Sequence, residues 1–192
     1  MKSRIAIIDG LRSPFCKAGE VFRNYTADDL AARVSRELML RIGLPFELVD
    51  EVVFGNVSQP MEAVNVARVI ALKAGFPVST PACTVHRNCA SGMESITSAA
   101  CKILAGELDV VLAGGTESMS NIPLFFGRKM TELFEKLMKA KTPGQKLKAL
   151  AGFRLSHLTP VVGLMLGLSD QVCGLNMGQT AEVLAREFTV TR

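Results

Sequence analysis

Twelve residues, Thr84-Val85-His86-Arg87-Asn88-Cys89-Ala90-Ser91-Gly92-Met93-Glu94-Ser95, carry the strongest chemical signal in the chain. Cys89 stands where a β-branched run, Thr80 to Val85, gives way to a helical pattern with Met93, Ile96, Ala100, Ile103 and Leu104 on one face. The first turn of a helix has backbone N–H groups without partners and a partial positive charge. A thiol there ionises more easily, and the thiolate is the nucleophile. Ala90, Ser91 and Gly92 are small enough to leave a substrate room beside the sulfur. Spacing alone leaves a second reading open, because free cysteines are often inert core residues.

Elements on both sides must hold that turn. Ile5 to Ile8 reads as a buried first strand closed by Asp9-Gly10. Thr26-Ala27-Asp28-Asp29 opens a helix with Leu30, Val34, Leu38 and Ile42 in register, closed by Gly43 ahead of Pro45. Val49 to Phe54 is a second strand and Ala63 to Ala74 a second helix, stopped by Gly75 and Pro77. Leu108 to Ala113 is a fourth strand, ended by Gly114-Gly115. The GxGxxG spacing of a nucleotide loop is missing, so the glycine pair reads as a tight turn using positive φ. Strands alternating with helices give an α/β class.

Composition narrows the function classes. The chain has 192 residues, 48% of them apolar, no Trp and a net charge of +4. No basic block with interleaved aromatics stands out, so nucleic acid is a poor partner. Cys16, Cys83, Cys89, Cys101 and Cys173 form no CxxC pair, and the N-terminus has no secretory h-region, which together point to the reducing cytoplasm. With His86 and His157 as its only histidines, the chain lacks an adequate zinc ligand set.

Past Ser118 the character changes. Residues 124–150 are rich in Lys and apolar side chains, with Phe126, Met130, Leu133, Phe134, Leu137 and Met138 near helical spacing. Leu155 to Ser169 then carries no Asp, Glu, Lys or Arg and is broken by Pro160, Gly163 and Gly167. It is too short and interrupted to span a bilayer. Three readings stay open: a core segment under a loop, a surface for a partner subunit, or a peripheral membrane contact flanked by Lys139, Lys141, Lys146, Lys148 and Arg154. A last helix runs from Gly178 to Phe188.

Four motifs occur in an order shared with one family. They are Asn65-Val66-Ala67-Arg68, His86 to Met93, Val111-Leu112-Ala113-Gly114-Gly115-Thr116-Glu117-Ser118-Met119-Ser120 and Met177-Gly178-Gln179-Thr180-Ala181-Glu182. From Ile5 to its last residue the chain resembles the N-terminal part of a thiolase, an acyl-CoA:acetyl-CoA C-acyltransferase. Lys129 to Phe153 resembles most the β subunit of the fatty-acid oxidation trifunctional complex, where the corresponding insertion makes subunit or membrane contacts. A short-chain acetoacetyl-CoA thiolase is the nearest rival.

The resemblance implies a layered α-β-α-β-α fold, of which this chain carries the N-terminal, nucleophile-bearing half-domain (1–117) and part of the CoA-covering loop domain (118–192). It implies that Cys89 is the acylated nucleophile. Met177 would line the substrate pocket, with Asn176 beside it where many members carry His. Glu117 and Arg68 read as structural. Coenzyme A enters as substrate, and no cofactor or metal is called for. The family's Gly-His-Pro histidine, its Cys-x-Gly cysteine and its Asn-Glu oxyanion motif belong to the C-terminal half and do not occur in these 192 residues; Cys173-Gly174 comes closest and lacks the intervening residue. The resemblance therefore implies a C-terminal half or second subunit as partner, in a homo- or hetero-oligomer. The competing expectation is a non-catalytic assembly or binding subunit keeping half the fold.

Overall fold

The computed structural model describes residues 4–191 and falls into two compact units that divide between Ile122 and Pro123. In the first, Thr26 caps helix α1 (Ala27–Ile42), accepting from the Asp29 N–H at 3.4 Å. Gly43 ends it in the left-handed conformation (φ 68°), which glycine adopts without strain. Strand β1 (Glu51–Gly55) leads to α2 (Val66–Ala74), β2 (Ala82–Val85), α3 (Ser91–Leu104) and β3 (Val111–Gly115). The three strands form a parallel sheet ordered β2-β1-β3.

Central β1 is buried throughout. Its side chains alternate between faces. Val52 and Phe54 join the core made with Ala31, Ala32 and Met39 of α1 and Val66, Ala67, Ile70, Ala71 and Ala74 of α2. Gly55, on the opposite face, meets α3. The crossover from β1 to β2 and the one from β2 to β3 run in opposite directions across the sheet, so their helices α2 and α3 cover opposite faces.

Several sequence expectations need correction. Residues 5–8 are not a strand: Ile7 is 85% and Ile8 69% exposed, and the segment pairs with no other strand. Its firm attachment is the Asp9–Arg41 ion pair, 2.5 Å, at the end of α1. On α1 the buried face is Ala27, Asp28, Ala31, Ala32, Ser35 and Met39, one residue round from the Leu30–Val34–Leu38–Ile42 stripe, because small residues let α1 and α2 approach closely. On α3 the buried residues are Ser91, Ser95 and Ala99, while Met93, Ile96 and Leu104 face outward. Gly114 and Gly115 lie inside β3 without positive φ. A Cβ on Gly114 would meet the Phe54 ring, and one on Gly115 would press on the Gly92 backbone.

In the second unit, β4 (Leu124–Phe126) pairs antiparallel with β5 (Pro160–Val162). Helix α4 (Arg128–Lys139) is followed by α5 (Pro143–Ala151), where Thr142 and Gln145 form a reciprocal capping box. The short α6 (Gly163–Gly167) and then α7 (Met177–Glu187) complete the unit. Among its described residues Leu133 alone is buried. No residue of 155–169 is buried, and Leu155 is 81% exposed, so the core reading of that segment does not hold. No helix among the described residues is long and apolar enough to cross a membrane.

One buried charge braces α1 against α2. Asp28, 2% exposed, and Asp29 both accept from Lys73, at 2.5 and 2.7 Å. The Lys73 hydrogen bond holds the Asp29 carboxyl below its ordinary range, and the two aspartates raise Lys73. The Asp29 contribution is therefore complete above the ordinary aspartate pKa and is lost as pH falls through the lower folded value. We expect Lys73→Met to cost more stability at pH 7 than at pH 3, by denaturant titration at both; equal losses would contradict the ion-pair account. Ile70→Ala, in a fully buried site, should cost about 2–5 kcal/mol. Gly55→Ala, which drives a methyl into the Ser91 carbonyl, should cost roughly 1–3 kcal/mol.

Candidate active site

The turn between β2 and α3 sits at the carboxyl edge of the parallel sheet, the usual ligand side of open α/β sheets. Asn88 adopts φ 46°, an unusual left-handed conformation that Asn tolerates better than most residues. Its carbonyl accepts from the Ser91 N–H at 3.0 Å and from Ser91 Oγ at 2.6 Å. Ser91 Oγ in turn accepts from the Arg87 N–H at 2.8 Å. One buried serine thus staples the turn from both sides and leaves Cys89 exposed at its crest.

The helix begins without a side-chain cap. Ala90 N–H reaches the Arg87 carbonyl and Glu94 N–H the Ala90 carbonyl. The Gly92 and Met93 N–H groups have no acceptor among the described residues and remain as free donors in the first turn of α3. Arg87 pairs with Glu94 at 2.7 Å, so its charge is already partnered. His86 Nδ1 lies 3.4 Å from the Asn88 N–H.

Ser91 and Gly92 serve packing more than substrate access. Ser91 meets the backbone of Gly55, and Gly92 that of Gly115. Ser95, fully buried, lies with its Oγ 2.7 Å from both the Gly92 and Gly114 carbonyl oxygens, with one proton to share between them. Sequence reasoning missed Ser91 and Ser95 as anchors; the serines' i, i+4 spacing opposite the apolar stripe was the available signal.

Glu117 and Arg68 each hold a loop. The Glu117 carboxylate accepts from the Val57 and Ser58 N–H groups at 3.0 and 3.1 Å and from Asn56 Nδ2 at 3.2 Å. Arg68 donates to the Thr80 and Val78 carbonyls at 2.7 and 2.8 Å. Asn65 caps α2 and is joined to β2 through the Ala82 carbonyl and Thr84 Oγ1.

The thiol of Cys83, on β2, is less accessible than that of Cys89. Cys83 is half-buried; burial, and then the negative charge of Glu51, push it up. Glu51 itself pairs with Lys102 at 2.5 Å. Among the described residues no group of three or more His, Cys, Asp and Glu side chains is placed to hold a metal ion.

Cys89 belongs to the first unit, and Asn176 and Met177 to the second. Asn176 caps α7: its Oδ1 accepts from the Gln179 N–H, and its own N–H donates to Gln179 Oε1, both at 2.9 Å. Met177, the first residue of α7, is 55% exposed.

Comparison with known proteins matches this arrangement. A 3-ketoacyl-CoA thiolase of Vibrio cholerae is 38% identical over 189 residues, which make up 98% of this chain and 43% of that protein. One from Escherichia coli strain 55989 matches to the same extent. The chain thus spans less than half the length of these curated relatives. The crystal structure of the Bacillus anthracis acetyl-CoA acetyltransferase superposes with a TM-score of 0.73 at 33% identity, over 91% of this chain and 39% of that one. A thiolase from Ascaris suum in complex with coenzyme A superposes with a TM-score of 0.71 at 27% identity, over 91% and 40%. The profile of the thiolase N-terminal domain matches residues 5–192, and the chain belongs to the thiolase family.

Proposed function

We propose that this chain supplies the nucleophile for acyl transfer on CoA thioesters, the thiolytic cleavage of a 3-ketoacyl-CoA or its reverse, a Claisen condensation. The observation that carries the reading is the exposure of Cys89 on a stapled turn at the carboxyl edge of the sheet. The thiolase relatives support it.

In the degradative direction the Cys89 thiolate attacks the C3 carbonyl carbon, forming a C–S bond and an oxyanion. Collapse of the oxyanion breaks the C2–C3 bond, and the electron pair leaves on C2 of acetyl-CoA. A general acid, which the family resemblance assigns to the C-terminal half, protonates that carbon. The thiol of a second CoA then gives its proton back to that group and attacks the Cys89 thioester, breaking the C–S bond to Cys89, releasing the shortened acyl-CoA and regenerating the thiolate. Covalent catalysis divides one hard step into two easier ones. Each step passes through an oxyanion, and the free Gly92 and Met93 N–H groups in the first turn of α3 are candidate donors to it.

Met177 and Asn176 complete the proposal on the substrate side. Met177 presents a flexible apolar side chain to the acyl end or pantetheine arm. The capping box fixes Asn176 Oδ1 on α7 and leaves its Nδ2 as the available donor. The partner is a C-terminal thiolase half, on the same or a second polypeptide, within an oligomer. Coenzyme A is a substrate, and no separate cofactor is required. Five free cysteines support a cytoplasmic setting. The exposed apolar residues of 155–169 support a subunit or peripheral membrane contact.

The deciding experiment is thiolysis of a 3-ketoacyl-CoA by the native assembly, with the acylated residue located by mass spectrometry. Cys89→Ala should reduce turnover by roughly 10³-fold or more and abolish acyl labelling. Retained turnover, or a label on another residue, would sink the reading. Met177→Ala should raise KM several-fold with kcat nearly intact. In timed iodoacetamide labelling near neutral pH, Cys89 should be modified well before Cys83, whose thiol is half-buried and raised.

A further inference from the structure

We propose that Glu117 and Asn56 are positioning residues for Cys89, tying together the two strand ends on which the first turn of α3 rests; this reading builds on the acyl-transfer function above. Glu117 follows β3 and Asn56 follows β1. The Glu117 carboxylate accepts only N–H donors, those of Val57, Ser58 and Asn56 Nδ2, and no cation pairs with it among the described residues. Asn56 Nδ2 also donates to the Thr116 carbonyl at 2.8 Å, and Thr116 N–H returns to the Gly55 carbonyl at 3.0 Å.

The orientation of the Asn56 amide is forced. A flip would set its oxygen against the Thr116 carbonyl and a Glu117 carboxylate oxygen, both acceptors. The unflipped amide leaves Oδ1 buried without a partner. Asn56, 1% exposed, thus forgoes one hydrogen bond to keep its donor between the two strand ends.

The tie reaches the nucleophile through contacts without slack. Asn56 N–H donates to the Val85 carbonyl, one residue before His86, at 3.3 Å. Gly55 lies against the Ser91 backbone, and Gly115 against Gly92. Ser95 Oγ reaches the Gly114 carbonyl. The strand ends joined by Glu117 and Asn56 are the same two that hold Ser91 and Gly92. If they part, the Ser91 staple loses its base and Cys89 moves relative to its substrate.

The test uses the native full-length protein with Glu117→Gln, which is nearly isosteric and keeps one acceptor oxygen. Asn56→Ser serves as a second, smaller lesion. Amide hydrogen exchange is followed in peptides covering 86–93 and, as a control, 34–42; the start of α1 is left out because the Ala27 carbonyl accepts from Thr116 Oγ1, beside Glu117. Thiolysis is expressed per Cys89 titrated by acylation, which removes the effect of unfolded protein. Exchange over 86–93 should accelerate while 34–42 stays unchanged. Because a misplacement near 1 Å costs up to about 10²-fold, kcat per titrated site should fall about 10- to 100-fold, with KM changed less than about twofold. Unchanged exchange over 86–93, or an unchanged kcat per titrated site despite a lower melting temperature, would overturn the proposal. Absence of thiolysis in the wild-type protein would instead sink the acyl-transfer reading, and the exchange result, which needs no turnover, would still decide whether the tie reaches the turn.

Discussion

Backbone-to-backbone contact between strand ends and the start of a helix is the constraint on which the first unit depends. Gly55 lies against the Ser91 carbonyl, and Gly115 lies against Gly92. No side chain larger than hydrogen fits at Gly55 without movement of the main chain. This explains why α3 buries Ser91, Ser95 and Ala99 while its larger residues face outward. The cost of a small-residue interface is little apolar burial. Hydrogen bonds compensate for it, as Ser95 does by bridging toward the strand while satisfying its own helix.

Seating the helix by backbone contact leaves loop ends to be fixed by polar side chains. At the carboxyl edge Glu117 gathers two main-chain N–H groups and an amide; Asn65 spans α2 and β2, and Arg68 takes the Val78 and Thr80 carbonyls ahead of β2. At the opposite edge Asp50 accepts from the Asp109 and Val110 N–H groups, which hold its carboxyl low. Each side chain serves several main-chain groups at once, so loops with little apolar cover keep a single conformation. Cys89 is placed by this framework, and its side chain makes no hydrogen bond among the described residues.

Helices were legible in the sequence because their signals are local. Thr26, Gly43 and Gly75 mark helix ends that the structure reproduces, since a cap is decided within four residues. The alternation of strands and helices around Cys89 was legible for the same reason. Non-local facts were not. Residues 5–8 have a strand's composition, but a strand needs a neighbouring edge, and composition does not supply one. Gly114 and Gly115 were read as a turn because positive φ is the commoner use of glycine; their contacts with Phe54 and Gly92 come from elements 60 and 23 residues upstream. Asn56 went unnoticed because its importance rests on Thr116 and Glu117, which are distant in sequence.

The outward face of α3 carries its larger apolar side chains. Met93 and Ile96 stand three residues apart on the helix, and both are exposed, at 63% and 45%. Exposed apolar side chains of this size are unfavourable in water and favourable once another surface covers them. The packing that turns Ser91, Ser95 and Ala99 inward therefore has a second effect: because only small residues fit between α3 and the strand ends, the bulk of the helix's apolar surface is left on its outer side, available to whatever packs there.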